Sequence, residues 1–288
     1  MYGPTVESQQ ILTYLQLFYP AFPGDPFYAD FITGEGAILP PDIFPGGGPT
    51  ALAEFFGGHN RDRLVFSYNV TDALNLLIGS ALAPGDHAIT TCLEHNSVLR
   101  PLYRLAHQGV DVDFVPFDAS GYVDPDDIGR RIRPSTKLVV VNHGSNVIGT
   151  IQPVAEIGTI CKERGIRFVI DTAQTAGLIP IDMKRMGVDP LAFTGHKMLG
   201  PTGVGVLYGK RALLDKMPPF NMGGEMIREV RFDKVSWAEL PHKFEAGTPN
   251  ICGGIAFGAA IDYMNGIGFE AIAAYENELL CYATEQIL

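Results

Sequence analysis

At 288 residues the chain is long enough for one large α/β domain or two small ones. An apolar fraction of 46% with 18% charged residues is that of a globular protein, and a formal net charge of -11 argues against a nucleic-acid or anionic-membrane surface. No run is long enough for an uninterrupted membrane helix, and Cys92, Cys161, Cys252 and Cys281 form neither a CxxC pair nor metal-ligand spacing, so they read as buried thiols of a reducing compartment and no metal site is expected.

Residues 1–50 carry Glu7, Asp25, Asp30, Glu35 and Asp42 but no basic side chain, the first being Arg61. They lack the basic start of a signal peptide, and a cytoplasmic location is expected. Gln9–Phe18 reads as a short helix, and the proline-rich stretch 22–48 as loop. Ala51–Gly57 reads as a helix, Arg63–Ser67 as a strand, and Thr71–Leu82 as a helix stopped by Pro84-Gly85. Val70 and Thr71 therefore sit where a strand turns into a helix. Free N–H groups and roughly half a positive charge from the helix dipole make such an end an anion site. A plain cap by Asn69 or Thr71 is the alternative.

His87–Cys92 is the next strand, and it leads through His95 into a helix at Pro101. Asp111–Val115 reads as a strand, Pro125–Ile132 as a short helix, and Leu138–Val141 as an apolar strand of the kind covered on both faces in parallel sheets. Asn146 lies in the loop that follows. Pro153–Arg164 reads as an amphipathic helix ended by Gly165.

Arg167–Asp171 is a strand ending on a carboxylate, with Gln174 three residues beyond. Leu191–Phe193 ends a short strand and Gly203–Tyr208 begins another. At the tip between them stand Thr194, His196 and Lys197, where a turn would need only Gly and Pro. Enclosure by apolar strands would desolvate Lys197, lower its pKa and expose its amine as a nucleophile towards carbonyls. A strand-end Asp171 with Lys197 about one βαβ step later fits pyridoxal phosphate chemistry. The lysine forms a Schiff base, and the carboxylate keeps the pyridine nitrogen protonated so that the ring acts as an electron sink. Gly200–Gly205 is no dinucleotide loop, because it precedes a strand instead of joining strand to helix.

The alternation from Leu64 to Tyr208 predicts an α/β fold with one doubly wound, mostly parallel sheet. Ligands bind such sheets at the strand C-termini, where Thr71, His95, Asn146, Asp171 and Lys197 all fall. Lys243–Asn250 follows as a loop, and Ala256–Met264 and Glu270–Leu288 read as helices.

Asp171-x-x-Gln174 followed by Thr194-Gly-His-Lys197 resembles the class V aminotransferase family of fold-type I pyridoxal phosphate enzymes, most closely its cysteine desulfurases and selenocysteine lyases. The resemblance runs from about Ala51 to Leu288. It implies Lys197, His95 and Asp171 as catalytic residues, with the His95 ring lying on the pyridine. It also implies phosphate contacts from Val70, Thr71, Thr194 and His196, and places Asn146 and Gln174 near the cofactor's phenolic oxygen. In a homodimer, Thr248 would complete the neighbouring subunit's phosphate cup. The implied reaction converts cysteine to alanine with enzyme-bound sulfur, passed to a sulfur-acceptor protein.

Relatives of this kind carry a further domain with an arginine that clamps the substrate carboxylate and a mobile cysteine, and neither has a counterpart here. The expected organisation is an irregular segment 1–50, a cofactor domain 51–265, and at 266–288 a helix leading to an absent C-terminal domain. Another class V outcome (transamination, epimerisation or selenocysteine lysis) and a catalytically inert dimer partner remain as alternatives.

Overall fold

A computed structural model describes residues 49–56, 63–183 and 185–287; the expected helix Gln9–Phe18 and the loop 22–48 lie outside them. The sheet comprises β1 (Leu64–Ser67), β2 (His87–Thr91), β3 (Asp111–Val115), β4 (Thr136–Asn142), β5 (Arg167–Asp171), β6 (Pro190–Thr194) and β7 (Gly205–Gly209), in the order β1-β7-β6-β5-β4-β2-β3. The strands β2 to β6 pair in parallel, while β7 runs antiparallel to both β6 and β1. Hence β1 points the same way as the parallel set. The last residues of β1, β2, β4, β5 and β6 (Ser67, Thr91, Asn142, Asp171 and Thr194) all reach one edge of the sheet.

Period-two alternation explains why both faces are covered. Val139 and Val141 of β4, Phe168 and Ile170 of β5, and Leu191 and Phe193 of β6 enter one core. Their neighbours Leu138, Val140, Val169 and Ala192 enter the other. The first core is closed by α1 (Pro49–Phe55), α4 (Pro125–Arg131), α5 (Val154–Glu163) and α7 (Ile251–Ile267). The second is closed by α2 (Val70–Ala81), α3 (Asn96–Ala106) and α6 (Arg211–Leu214). This is the expected doubly wound, mostly parallel α/β sheet.

Two features differ from the sequence reading. A hairpin of β8 (Ile227–Val230) and β9 (Val235–Trp237) was not expected. Helix α7 starts at Ile251, five residues before the expected Ala256, capped by the Asn250 side chain accepting from Gly253 N–H at 2.9 Å. Its glycines lower helix propensity but permit contact: a Cβ on Gly253 would stand 2.4 Å from Val204. A final helix, α8 (Phe269–Ile287), has no buried residue. Among the described residues no helix is long and apolar enough to cross a membrane.

Gly205 couples the sheet to the turn before α2. It pairs with Thr194 on β6 and with Ser67 on β1, and a Cβ there would lie 2.2 Å from the carbonyl carbon of Asn69. That approach leaves no room for a side chain. Gly205→Ala is expected to cost about 1–3 kcal/mol through overpacking. A urea midpoint lowered at unchanged slope would check this.

Candidate active site

Asp171 ends β5 and is only 5% exposed. Its Oδ1 accepts from Ala173 N–H at 2.9 Å. Burial pushes its pKa up, while the Ala173 N–H, His95, Lys197 and the Ser97 hydroxyl pull it back towards the ionised form. His95 caps α3: its Nδ1 accepts from Ser97 N–H at 3.2 Å and lies 2.8 Å from Ser97 Oγ. With Nδ1 engaged by Ser97, Nε2 is the ring nitrogen not held by that contact. Ser97 thus links His95 to the buried carboxyl, a connection absent from the sequence reading.

Lys197 closes the 3₁₀ turn Gly195–Lys197 after β6. It is exposed, as is His196, so the expected enclosure by apolar strands is not found among the described residues. The strands end one turn too early to cover it. Thr194, by contrast, is buried. Its Oγ1 donates to Val204 C=O at 3.2 Å and lies 3.1 Å from His196 Nδ1, which fixes the ring of His196.

On the other side of Gly205, Val70 is buried and Thr71 exposed at the first turn of α2. Asn69 caps the helix by accepting from Asp72 N–H at 3.0 Å, and the amides of Val70 and Thr71 begin it, where no intrahelical partner exists. The alternative cap by Thr71 is therefore not the one adopted. Asn146 is exposed on the 144–151 loop, whose ends are bridged between Gly144 and Ile151. Gln174 is half-buried, with its Cβ 3.5 Å from where a Cβ on Gly144 would stand. Thr248 is exposed on the segment before α7, which is held to the sheet where Glu245 Oε1 accepts from Phe66 N–H at 2.7 Å. The structure thus brings His95 and Lys197 within electrostatic reach of Asp171, with the Val70–Thr71 and Thr194–His196 turns joined through Gly205.

Two further buried groups at this edge escaped the sequence reading: Glu94, beside His95, and His143, which follows β4. The amide of His143 donates to Asp171 C=O at 2.9 Å, and its Nδ1 lies 2.9 Å from Thr175 Oγ1. Burial pushes its pKa down to about 4. A histidine depressed in the fold stabilises it above the unfolded pKa of 6.5, and that contribution is lost as pH falls from 6.5 to about 4. The loss is on the order of 3 kcal/mol, taking each pKa unit as about 1.4 kcal/mol. His143→Asn should flatten this part of the acid limb in urea titrations across that range.

The thiols also correct an expectation. Only Cys161 is buried, its pKa pushed up to about 12 by burial; Cys252 is half-buried, and Cys92 and Cys281 are exposed. Among the described residues no cluster suited to a metal ion occurs.

A family model described as Aminotransferase class-V matches residues 50–288. A probable cysteine desulfurase of Halobacterium salinarum is 42% identical over 241 residues, covering 82% of this chain and 58% of the relative. The chain thus spans about three fifths of the length of the curated relatives it matches. The apo structure of a cysteine desulfurase from Thermococcus onnurineus NA1 superposes with a TM-score of 0.77 at 39% identity, over 81% of this chain and 59% of that one. A C-DES variant with glycine covalently linked to the PLP cofactor gives a TM-score of 0.72 at 25% identity, over 91% and 67% of the two chains.

Proposed function

The chain belongs to the class-V aminotransferase family, and on that premise we propose that it binds pyridoxal phosphate and acts on a small amino acid as a cysteine desulfurase, yielding alanine and enzyme-bound sulfur. The observation that carries this reading is Asp171. Its carboxyl is buried at the strand edge, with one backbone N–H and one hydroxyl as hydrogen-bond donors, and among the described residues the exposed Lys197 and His95 act on it electrostatically. A protonated ring nitrogen would set a further opposite charge against this buried carboxyl and offset the cost of its burial, so the residues fit the group.

Bound there, pyridoxal phosphate supplies an electron sink for the pair released at a substrate Cα. Lys197 Nζ would hold its aldehyde carbon, and Asp171 would hold the ring nitrogen's proton. Lys197 Nζ and His95 Nε2 are the groups placed to move the proton at the substrate Cα. The amides of Val70 and Thr71, the Thr71 hydroxyl and the Thr194–His196 turn would bind the phosphate, drawing on the α2 dipole. Asn146 and Gln174 would orient the ring from the β4 and β5 loops. Thr248, exposed on its segment, would serve the partner subunit's phosphate in a homodimer. A cytoplasmic location and transfer of sulfur to an acceptor protein accompany this reading.

The test is to supply cofactor, cysteine and a dithiol reductant, which frees the bound sulfur as sulfide, and to measure alanine and sulfide, with selenocysteine and a keto acid acceptor in parallel. Alanine formed preferentially from cysteine is expected. Preferential turnover of selenocysteine, or amino transfer to the keto acid, would reassign the reaction within the family.

A further inference from the structure

Glu94 stands at the end of the β2 turn and plays no part in the reading above. It is 7% exposed, and its Oε1 receives two donors: Thr91 Oγ1–H at 2.7 Å and the Asn142 amide at 3.0 Å. Around it, Thr91 Oγ1 accepts from Leu93 N–H at 3.2 Å, and Asn142 Nδ2 donates to Leu93 C=O at 2.9 Å. The turn bearing His95 is thereby clasped to the end of β4. Asn142 itself pairs with Asp171 in the β4–β5 register. The clasp therefore lies between the two ends of the His95–Ser97–Asp171 chain.

Two atoms of this clasp are buried without a partner, Glu94 Oε2 and Asn142 Oδ1. Both are acceptors when Glu94 is ionised, and buried polar atoms are rarely left so. A proton on Oε2 turns one of them into a donor.

We propose that Glu94 is a positioning residue for this site, its protonated carboxyl locking the His95 turn to β4 and so fixing His95 and Ser97 over Asp171. Its environment favours that state: burial, with the nearby charge of Asp171 adding to it, raises its pKa to about 8 against the pull of the Thr91 and Asn142 donors. The charged group bearing on it is Asp171 from β5; His95 and Lys197 act in turn on Asp171, and burial lowers the pKa of His143 after β4 to about 4. Ionised, Glu94 would set a second negative charge beside Asp171 and drive Asp171 towards its own protonated form. Protonated, it leaves Asp171 as the single anion available to a ring nitrogen.

The proposal rests on the cofactor reading, and its test includes measurements that need no cofactor. In the full chain, infrared spectra with labelled glutamate should show a protonated carboxyl at pH 7 that Glu94→Gln removes. The His95 ring resonances, assigned with His95→Asn and followed by NMR at pH 7, should keep their positions in Glu94→Gln but move in Glu94→Ala. With pyridoxal phosphate as the probe, Glu94→Gln should bind within about twofold of wild type at pH 7. Wild-type affinity should fall severalfold as pH rises through about 8, and Glu94→Gln should not show that fall. An ionised Glu94 at pH 7, His95 resonances moved equally by both substitutions, or identical pH profiles of cofactor binding would overturn the proposal. Failure of the wild type to bind the cofactor would instead count against the cofactor reading, leaving the infrared and NMR results to decide on Glu94.

Discussion

Lys197→Ala is expected to abolish the covalent, borohydride-reducible link to pyridoxal phosphate while leaving weaker binding through the phosphate turns. The side chain is exposed at the end of a 3₁₀ turn, and its removal leaves β6, Thr194 and the His196 ring as they are. The loss should therefore be chemical and leave the fold intact. Proton transfer by a positioned group contributes about 10²–10⁴-fold to rate, so turnover should drop by at least that much once covalent binding is lost as well. Absorbance spectra and equilibrium dialysis of the variant separate the two effects. A retained covalent band would assign the role to another lysine.

Asp171→Asn is the second large effect. An opposite charge close by shifts a titrating group by about 1–3 pKa units, so losing it should cut the protonated fraction of the ring nitrogen by about 10–10³-fold. The asparagine still offers an oxygen to Ala173 N–H, and burial already disfavours the ionised carboxyl. Stability should thus hold while Cα proton exchange collapses, with a smaller loss in cofactor affinity. Hydrogen–deuterium exchange at the substrate Cα, set beside thermal melts, distinguishes the outcomes. Equal exchange in the two proteins would remove Asp171 from its assigned role.

The sheet was legible because its strands are short apolar runs that end on polar residues, and such runs pack on both faces. The positions of Asp171 and Lys197, at or just beyond strand ends, were legible as polar side chains where structure alone does not need them. His95, which caps a helix, was singled out by the family resemblance. What escaped depended on register. Glu94 meets Asn142 across β2 and β4, and His143 meets Thr175 across the ends of β4 and β5; both pairings are fixed by sheet alignment, which no local pattern encodes. The exposure of Lys197 turns on where β6 stops relative to the tip, a matter of one turn of backbone. The glycines of α7 masked its start because their packing value, visible at Gly253 against Val204, runs against local propensity. The fates of single cysteines were likewise invisible: Cys92 follows a wholly buried strand yet is itself exposed.

The most direct test of the cofactor site is to incubate the 288-residue chain with pyridoxal phosphate, reduce with borohydride, digest, and map the label by mass spectrometry. One phosphopyridoxyl group per chain on Lys197, displaced by prior addition of an amino acid, is the predicted result. Absence of label, or label spread over other lysines such as Lys210 and Lys243, would contradict it.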